Sequence, residues 1–344
     1  MRNDRRLLKA IAMQNAEFKK NAAFIIMKGV IVIDMRILFM GTPDFAAASL
    51  KALIDSGREV AGVVTNPDKP KGRGYKLVKP PVKELAETVG IPVFQPATLK
   101  NGELQPVLEE LQPDIICVVA YGKMLPAYVL DFPRLGCVNV HGSLLPKYRG
   151  AAPIQWSVIN GDEYAGITTM LMNEGMDTGD MLLRERVKVG AEETSAELFD
   201  RLAPLGGALL CKTLDALEAG NVSPEPQNED EATYAPMIKK EDGKINWNDS
   251  PEKICRLIRG MNSWPMAYAY FNGQPVKIIS AAVSEDNPGA LPGTVAGLVK
   301  KRGLLVSCGG GGVFLREVQF AGSKRMGIED YLRGHSIAAG EKFE

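Results

Sequence analysis

From Met35 onward, short apolar runs alternate with segments whose apolar positions recur at helical spacing. The strand-like runs are 36–40, 59–64, 91–94, 114–119 and 136–140, with helices expected near 44–56, 82–89, 102–111 and 126–131. Such alternation argues for βαβ units and an α/β fold built on a doubly wound, mostly parallel sheet. Ile115-Ile116-Cys117-Val118-Val119 is apolar throughout and Cys137-Val138-Asn139-Val140 nearly so, as expected of strands covered on both faces. Two further strands, 166–172 and 181–189, lead into a long helix over 194–218, opened by Thr194 or Ser195 and closed at Gly220.

The pattern changes at Asn221. Residues 221–231 are polar, acidic and proline-bearing, which predicts a linker over 221–241. After one more helix (251–261), short strand-like runs at 268–271, 275–282, 294–299, 304–308 and 313–318 are separated by glycine and proline. Five such strands predict a small β-barrel. The chain thus divides into residues 35–220, a linker, and a barrel domain over 242–344.

Composition narrows the function classes. Hydrophobic residues at 45% and charged residues at 24% exclude collagen-like, disordered and multi-span membrane proteins. Forty-one basic side chains cancel forty-one acidic ones, so any grip on nucleic acid must be local. Residues 35–230 carry 19 basic and 26 acidic side chains against 13 and 11 in residues 241–344, making the barrel the mildly positive partner. Five cysteines, none closer than twenty residues, fit neither a disulfide framework nor a metal knuckle, and point to a reducing, cytoplasmic home. Residues 1–34 are basic, and their apolar stretch is broken by Lys28. They match neither a spanning helix nor a signal peptide and are expected to be a non-essential extension.

The densest chemistry lies in Asn139-Val140-His141-Gly142-Ser143-Leu144-Leu145-Pro146-Lys147-Tyr148-Arg149-Gly150-Ala151-Ala152-Pro153. Alternate residues of a strand share a face, so Asn139 and His141 point the same way, at the strand end where open α/β sheets bind ligands. Four glycines and prolines in the next twelve residues forbid a helix there and leave Leu144 and Leu145 as exposed loop leucines, suited to covering a flat apolar group. His335, the other histidine, stands apart in Leu332-Arg333-Gly334-His335-Ser336 and reads as structural or incidental. The turn Glu174-Gly175-Met176-Asp177-Thr178-Gly179-Asp180 serves equally as a tight turn or as the carrier of a carboxylate. After the first strand, Gly41-Thr42-Pro43-Asp44-Phe45 lacks the G-x-G-x-x-G of a dinucleotide site. In the loop 66–81, Lys69, Lys71, Arg73, Lys76 and Lys79 face the single acid Asp68.

The pattern N-x-H-G-S-L-L-P-x-Y-R-G-x-x-P followed by D-T-G-D resembles the folate-dependent formyltransferase superfamily. The likeness runs from about Arg36 to the C-terminus and includes Gly72-Arg73-Gly74, Tyr234-Ala235-Pro236 and Trp264-Pro265, with Glu174 a small departure that leaves Asp177 in register. The loop 66–81 and the added domain are similar to those of members whose acceptor is methionyl-initiator tRNA. The resemblance implies a Rossmann-like catalytic domain, an OB-like barrel, and transfer of the formyl group of 10-formyltetrahydrofolate to an amine without a metal. It implies catalytic roles for Asn139, His141 and Asp177, a folate site along Ser143, Leu144, Leu145 and Pro146, and a methionyl pocket walled by Phe45. It also implies tRNA contacts from Arg73, Lys69, Lys71, Lys76, Lys79 and Lys239, with Lys300-Lys301-Arg302 and Lys324-Arg325 as further phosphate contacts. A monomer is expected. Two alternatives stay open, a relative that formylates an amino-sugar nucleotide and an inert RNA-binding protein on the same scaffold.

Overall fold

The computed structural model describes residues 25–27, 30–32, 35–71 and 76–344. The expected role of residues 1–34 as an extension and the expected tRNA contact of Arg73 lie outside them, apart from a short antiparallel pair between Ile25–Met27 and Val30–Val32.

Seven strands form the first sheet: β1 (Ile37–Gly41), β2 (Val60–Val64), β3 (Val93–Phe94), β4 (Ile115–Val119), β5 (Cys137–His141), β6 (Tyr164–Leu171) and β7 (Met181–Lys188). Their order is β7-β6-β5-β4-β1-β2-β3. β1 to β5 pair in parallel, and β6 runs against both its neighbours. The strand order reverses between β1 and β4, which opens a crevice at their C-terminal ends.

Strand alternation divides the core in two. Ile37, Phe39, Cys117, Val138 and Val140 face α1 (Asp44–Asp55), α2 (Pro81–Thr88) and α5 (Ser195–Glu218). Leu38, Met40, Ile116, Val118 and Cys137 face α3 (Gln105–Leu111) on the other side. α5 begins as its sequence dictates: Thr194 accepts from the Glu197 N–H while the Glu197 carboxylate accepts from the Thr194 N–H, a reciprocal cap. These bonds hold the Glu197 carboxyl below its usual range.

The loop after β5 departs from expectation. Leu145 is 1% exposed, buried with Met170 and Met181, and Leu144 lies over Gly166 of β6. Neither leucine is the exposed loop residue the breaker pattern suggests. Thr168 Oγ1 accepts from the Leu145 N–H and donates to the Ser143 carbonyl, which folds the segment onto β6. The loop ends where Pro153 opens an unexpected helix, α4 (Pro153–Asn160), proline being suited to a first helical turn.

The second sheet is antiparallel, with β8 (Ala267–Phe271), β9 (Gln274–Ser284), β10 (Val295–Val299), β11 (Gly303–Cys308) and β12 (Gly311–Phe320) in the order β8-β9-β12-β11-β10. The last residues join its two edges, since Phe343 bridges Phe271 of β8 and Lys342 bridges Thr294 beside β10. α6 (Pro251–Gly260) packs on β9 and on α4. Ser195 Oγ bonds the carbonyl of Gly260 at 2.8 Å, tying the start of α5 to the end of α6.

Candidate active site

Asn139 and His141 stand at the C-terminal end of β5, on the face opposite Val138 and Val140. His141 is buried, 6% exposed, and its Nε2 lies 2.9 Å from the Tyr148 carbonyl. A carbonyl only accepts, so this contact assigns the hydrogen to Nε2 and turns Nδ1 toward Asp177, whose Oδ2 is 3.7 Å away. Asn139 Nδ2 donates to Asp177 Oδ1 at 3.4 Å. One carboxylate thus meets both β5 side chains.

The approach of Asp177 is unusual. β6 pairs Thr168 with His141 and Leu171 with Val138, so the chain leaves β6 heading away from His141. Residues 172–180 must turn back, and Asp177 does so in the left-handed region at φ 53. Gly179 fits tightly within this turn: a Cβ there would lie 1.7 Å from the Leu171 carbonyl oxygen. Within the acidic turn, the backbone reversal accounts for that glycine and presents Asp177.

Two further contacts hold the turn. The Gly150 N–H donates to Asp177 Oδ2 at 2.8 Å. Gln227 Nε2 donates to the carbonyls of Asp177 (2.7 Å) and Gly179 (2.8 Å). Gln227 in turn accepts from Arg149 Nε at 2.9 Å, and the remaining guanidinium nitrogens fork onto the Glu229 carboxylate at 2.8 Å each. Arg149 is 1% exposed, and its hydrogen bonds hold the Glu229 carboxyl well below the usual carboxylate range. Arg149 stands in the quoted motif without an assigned role, and nothing in the polar stretch 221–231 singles out Gln227.

Other expected site residues behave differently. Ser143, Leu145 and Pro146 are buried, and Ser143 Oγ donates to the Lys147 carbonyl, whereas Leu144 is half-buried. A cavity of about 310 Å³ opens between α4, the turn at 189–193 and α6, and one of about 250 Å³ is lined by Ser143, Leu144, Lys147 and Tyr148 among others. Phe45 is 4% exposed, its ring 5.1 Å from Phe199, in the core that holds Val140. That is the sheet face away from Asn139 and His141. His335 stacks on Tyr331 at 4.1 Å, a structural contact.

The basic positions are spread out. Lys69–Lys71 and Lys76–Val78 form a short antiparallel pair at the base of the loop, with Lys69 exposed. Asp68 is engaged by Lys83 and Gln95, from outside the loop, and Lys79 pairs with Glu87 at 2.6 Å. Lys239 is exposed in the linker, and Arg325 is forked onto Glu317. Among the described residues no group of three or more histidines, cysteines and acids stands ready for a metal, and no helix is long and apolar enough to cross a membrane.

Residues 35–214 match the family described as formyl transferase, and residues 237–336 match formyl transferase, C-terminal domain. The chain belongs to the formyl transferase family. It is 50% identical to a methionyl-tRNA formyltransferase of Alkaliphilus oremlandii over 89% of this chain and 98% of that one. A methionyl-tRNA formyltransferase of Acetivibrio thermocellus is also 50% identical, over 89% of this chain and 99% of the relative. Among solved structures, an N-formyltransferase from Helicobacter canadensis, in complex with folinic acid and dTDP-3-aminofucose, aligns with a TM-score of 0.61 at 17% identity. That alignment covers 85% of this chain and 100% of the other, and it speaks to the fold alone. The α/β sheet with its added barrel is therefore the architecture expected from the sequence.

Proposed function

We propose that this enzyme transfers the formyl group of 10-formyltetrahydrofolate to the free α-amine of methionyl-initiator tRNA, in the cytoplasm. The reading is carried by the convergence of Asp177, distant in sequence, on Asn139 and His141 at the sheet's C-terminal end. The acceptor follows from relatives half identical over nearly their whole length, both of them methionyl-tRNA formyltransferases.

The amine nitrogen bonds the formyl carbon, the bond from that carbon to the folate nitrogen breaks, and one proton passes from the amine to the departing nitrogen. A free α-amine titrates near ~7.7–8.0, and the ester beside it lowers this further, so much of it is neutral at pH 7. The greater need is a home for the negative charge on the tetrahedral oxygen. The Asn139 amide supplies an N–H donor there, and so does the His141 Nδ1 when it carries a proton, with Nε2 retained by Tyr148. Asp177 orients the ring and positions a water to relay the proton. Leu144 and the main chain of Ser143 to Pro146 border the folate. Arg73, Lys69, Lys71, Lys76, Lys79 and Lys239 contact tRNA phosphates, with Lys79 exchanging Glu87 for its phosphate. The protein acts as a monomer.

Incubating the purified protein with labelled 10-formyltetrahydrofolate and either charged initiator tRNA or an amino-sugar nucleotide tests this. Label should pass to the tRNA alone. Transfer to the sugar nucleotide instead, or to neither, would overturn the reading.

A further inference from the structure

The segment joining the two halves does more than connect them. Residues 215–236 lie between the two stretches matched by the family, yet their bonds run to both loops of the site. Arg149 and Gly150 pair in parallel with Tyr234 and Ala235. Thr233 Oγ1 accepts from the Tyr148 N–H at 2.9 Å, next to the carbonyl that holds His141. At the other end, Gln227 holds the Asp177 turn.

Gln227 is suited to this place by its chemistry. Its single side-chain oxygen meets Arg149, which can only donate, and its nitrogen has two hydrogens for the two carbonyls of Asp177 and Gly179. Arg149 is fixed in turn by burial and by the Glu229 fork. We infer that Arg149 and Gln227 are positioning residues that set Asp177 against Asn139 and His141, and that the linker is thereby part of the site. The inference rests on the reading of Asp177 as a member of the reacting group.

Gln227→Glu keeps the size of the side chain but replaces two donors with acceptors facing carbonyls. It should lower kcat on the order of tenfold to a hundredfold, the cost of a misplaced reacting group, with KM for folate and tRNA held within about twofold. Gln227→Ala, which only deletes the contact, should fall between it and the wild type, and thermal melts of both report on folding. In an Asp177→Asn background, adding Gln227→Glu should change the residual rate by less than about twofold, because its route of action is already lost. A wild-type kcat in both Gln227 variants would overturn the inference, as would an equal loss in the Asp177→Asn background. Full activity of Asp177→Asn itself would instead sink the reading of the site on which the inference stands.

Discussion

The Tyr148 carbonyl lies 2.9 Å from His141 Nε2, so the main chain of the loop that follows β5 fixes which ring nitrogen faces Asp177. Tyr148 itself sits in the left-handed region at φ 62, directly before the Arg149–Gly150 pairing. The orientation of the imidazole is thus a property of the loop and not of the strand. Removing the ring leaves that loop with its Thr233, Ala235 and Asp177 contacts. His141→Ala should cost on the order of a hundred- to a thousandfold in turnover, the usual loss of an oxyanion donor, while tRNA affinity is kept. Single-turnover formylation beside a filter-binding titration checks both halves of the statement.

Arg73→Ala should weaken tRNA binding and spare folate binding. Each lost phosphate contact flattens log K against log[salt] by roughly 0.7–0.9, so the variant's salt slope should be shallower by about that amount. Unchanged tRNA affinity and slope across a salt series would remove the basic loop from the tRNA interface.

Gly179→Ala places a methyl 1.7 Å from the Leu171 carbonyl oxygen, in a turn where backbone cannot give way without moving Asp177. Overpacking of this kind costs about 1–3 kcal/mol, and the displaced carboxylate should add a loss of turnover. A lowered urea midpoint together with reduced kcat is the expected pair of results.

Thr194→Ala removes one side of the reciprocal cap on α5 and should destabilise the protein by about 1 kcal/mol. Equilibrium urea unfolding reads this directly. Activity at moderate temperature should be unaffected, since the cap lies outside the site.

The Arg149–Glu229 fork has a pH signature. The folded-state carboxyl titrates below its unfolded value of about 4.3, so the fork contributes above that pH, and its contribution disappears as pH falls through the depressed folded value. The urea midpoint of the wild type should exceed that of Glu229→Gln at neutral pH. The gap should close in acid, and a gap that stayed constant would show that the fork adds no proton-linked stability.

Much of the fold can be read from β1, β4 and β5, whose near-unbroken apolar runs have one physical cause, coverage on both faces. The reversed direction of β6 is different. Its residues Ala165 to Met170 are buried in either direction, and only the pairing of Thr168 with His141 fixes it. At the site, Asn139 and His141 are legible because strand alternation puts them on one face. Asp177 is reached only through a family likeness, because a turn that folds back carries no periodic signal. Leu145 misleads for a related reason: loop residues are expected outside, and this one is drawn in by Met170 and Met181. Gln227 leaves no trace, since an amide in a polar stretch looks the same whether or not it grips two carbonyls.

Phe343 is wholly buried between Trp247 and Phe271, and Glu344 exchanges two main-chain bonds with Tyr270. Shaving off Lys342 to Glu344 would therefore bare the β8 rim at Tyr270 and free the Gly293 carbonyl beside β10, and bare rims of that kind recruit other chains. A preparation trimmed there by a protease should turn sticky before it turns inactive, since the candidate site sits in the other half.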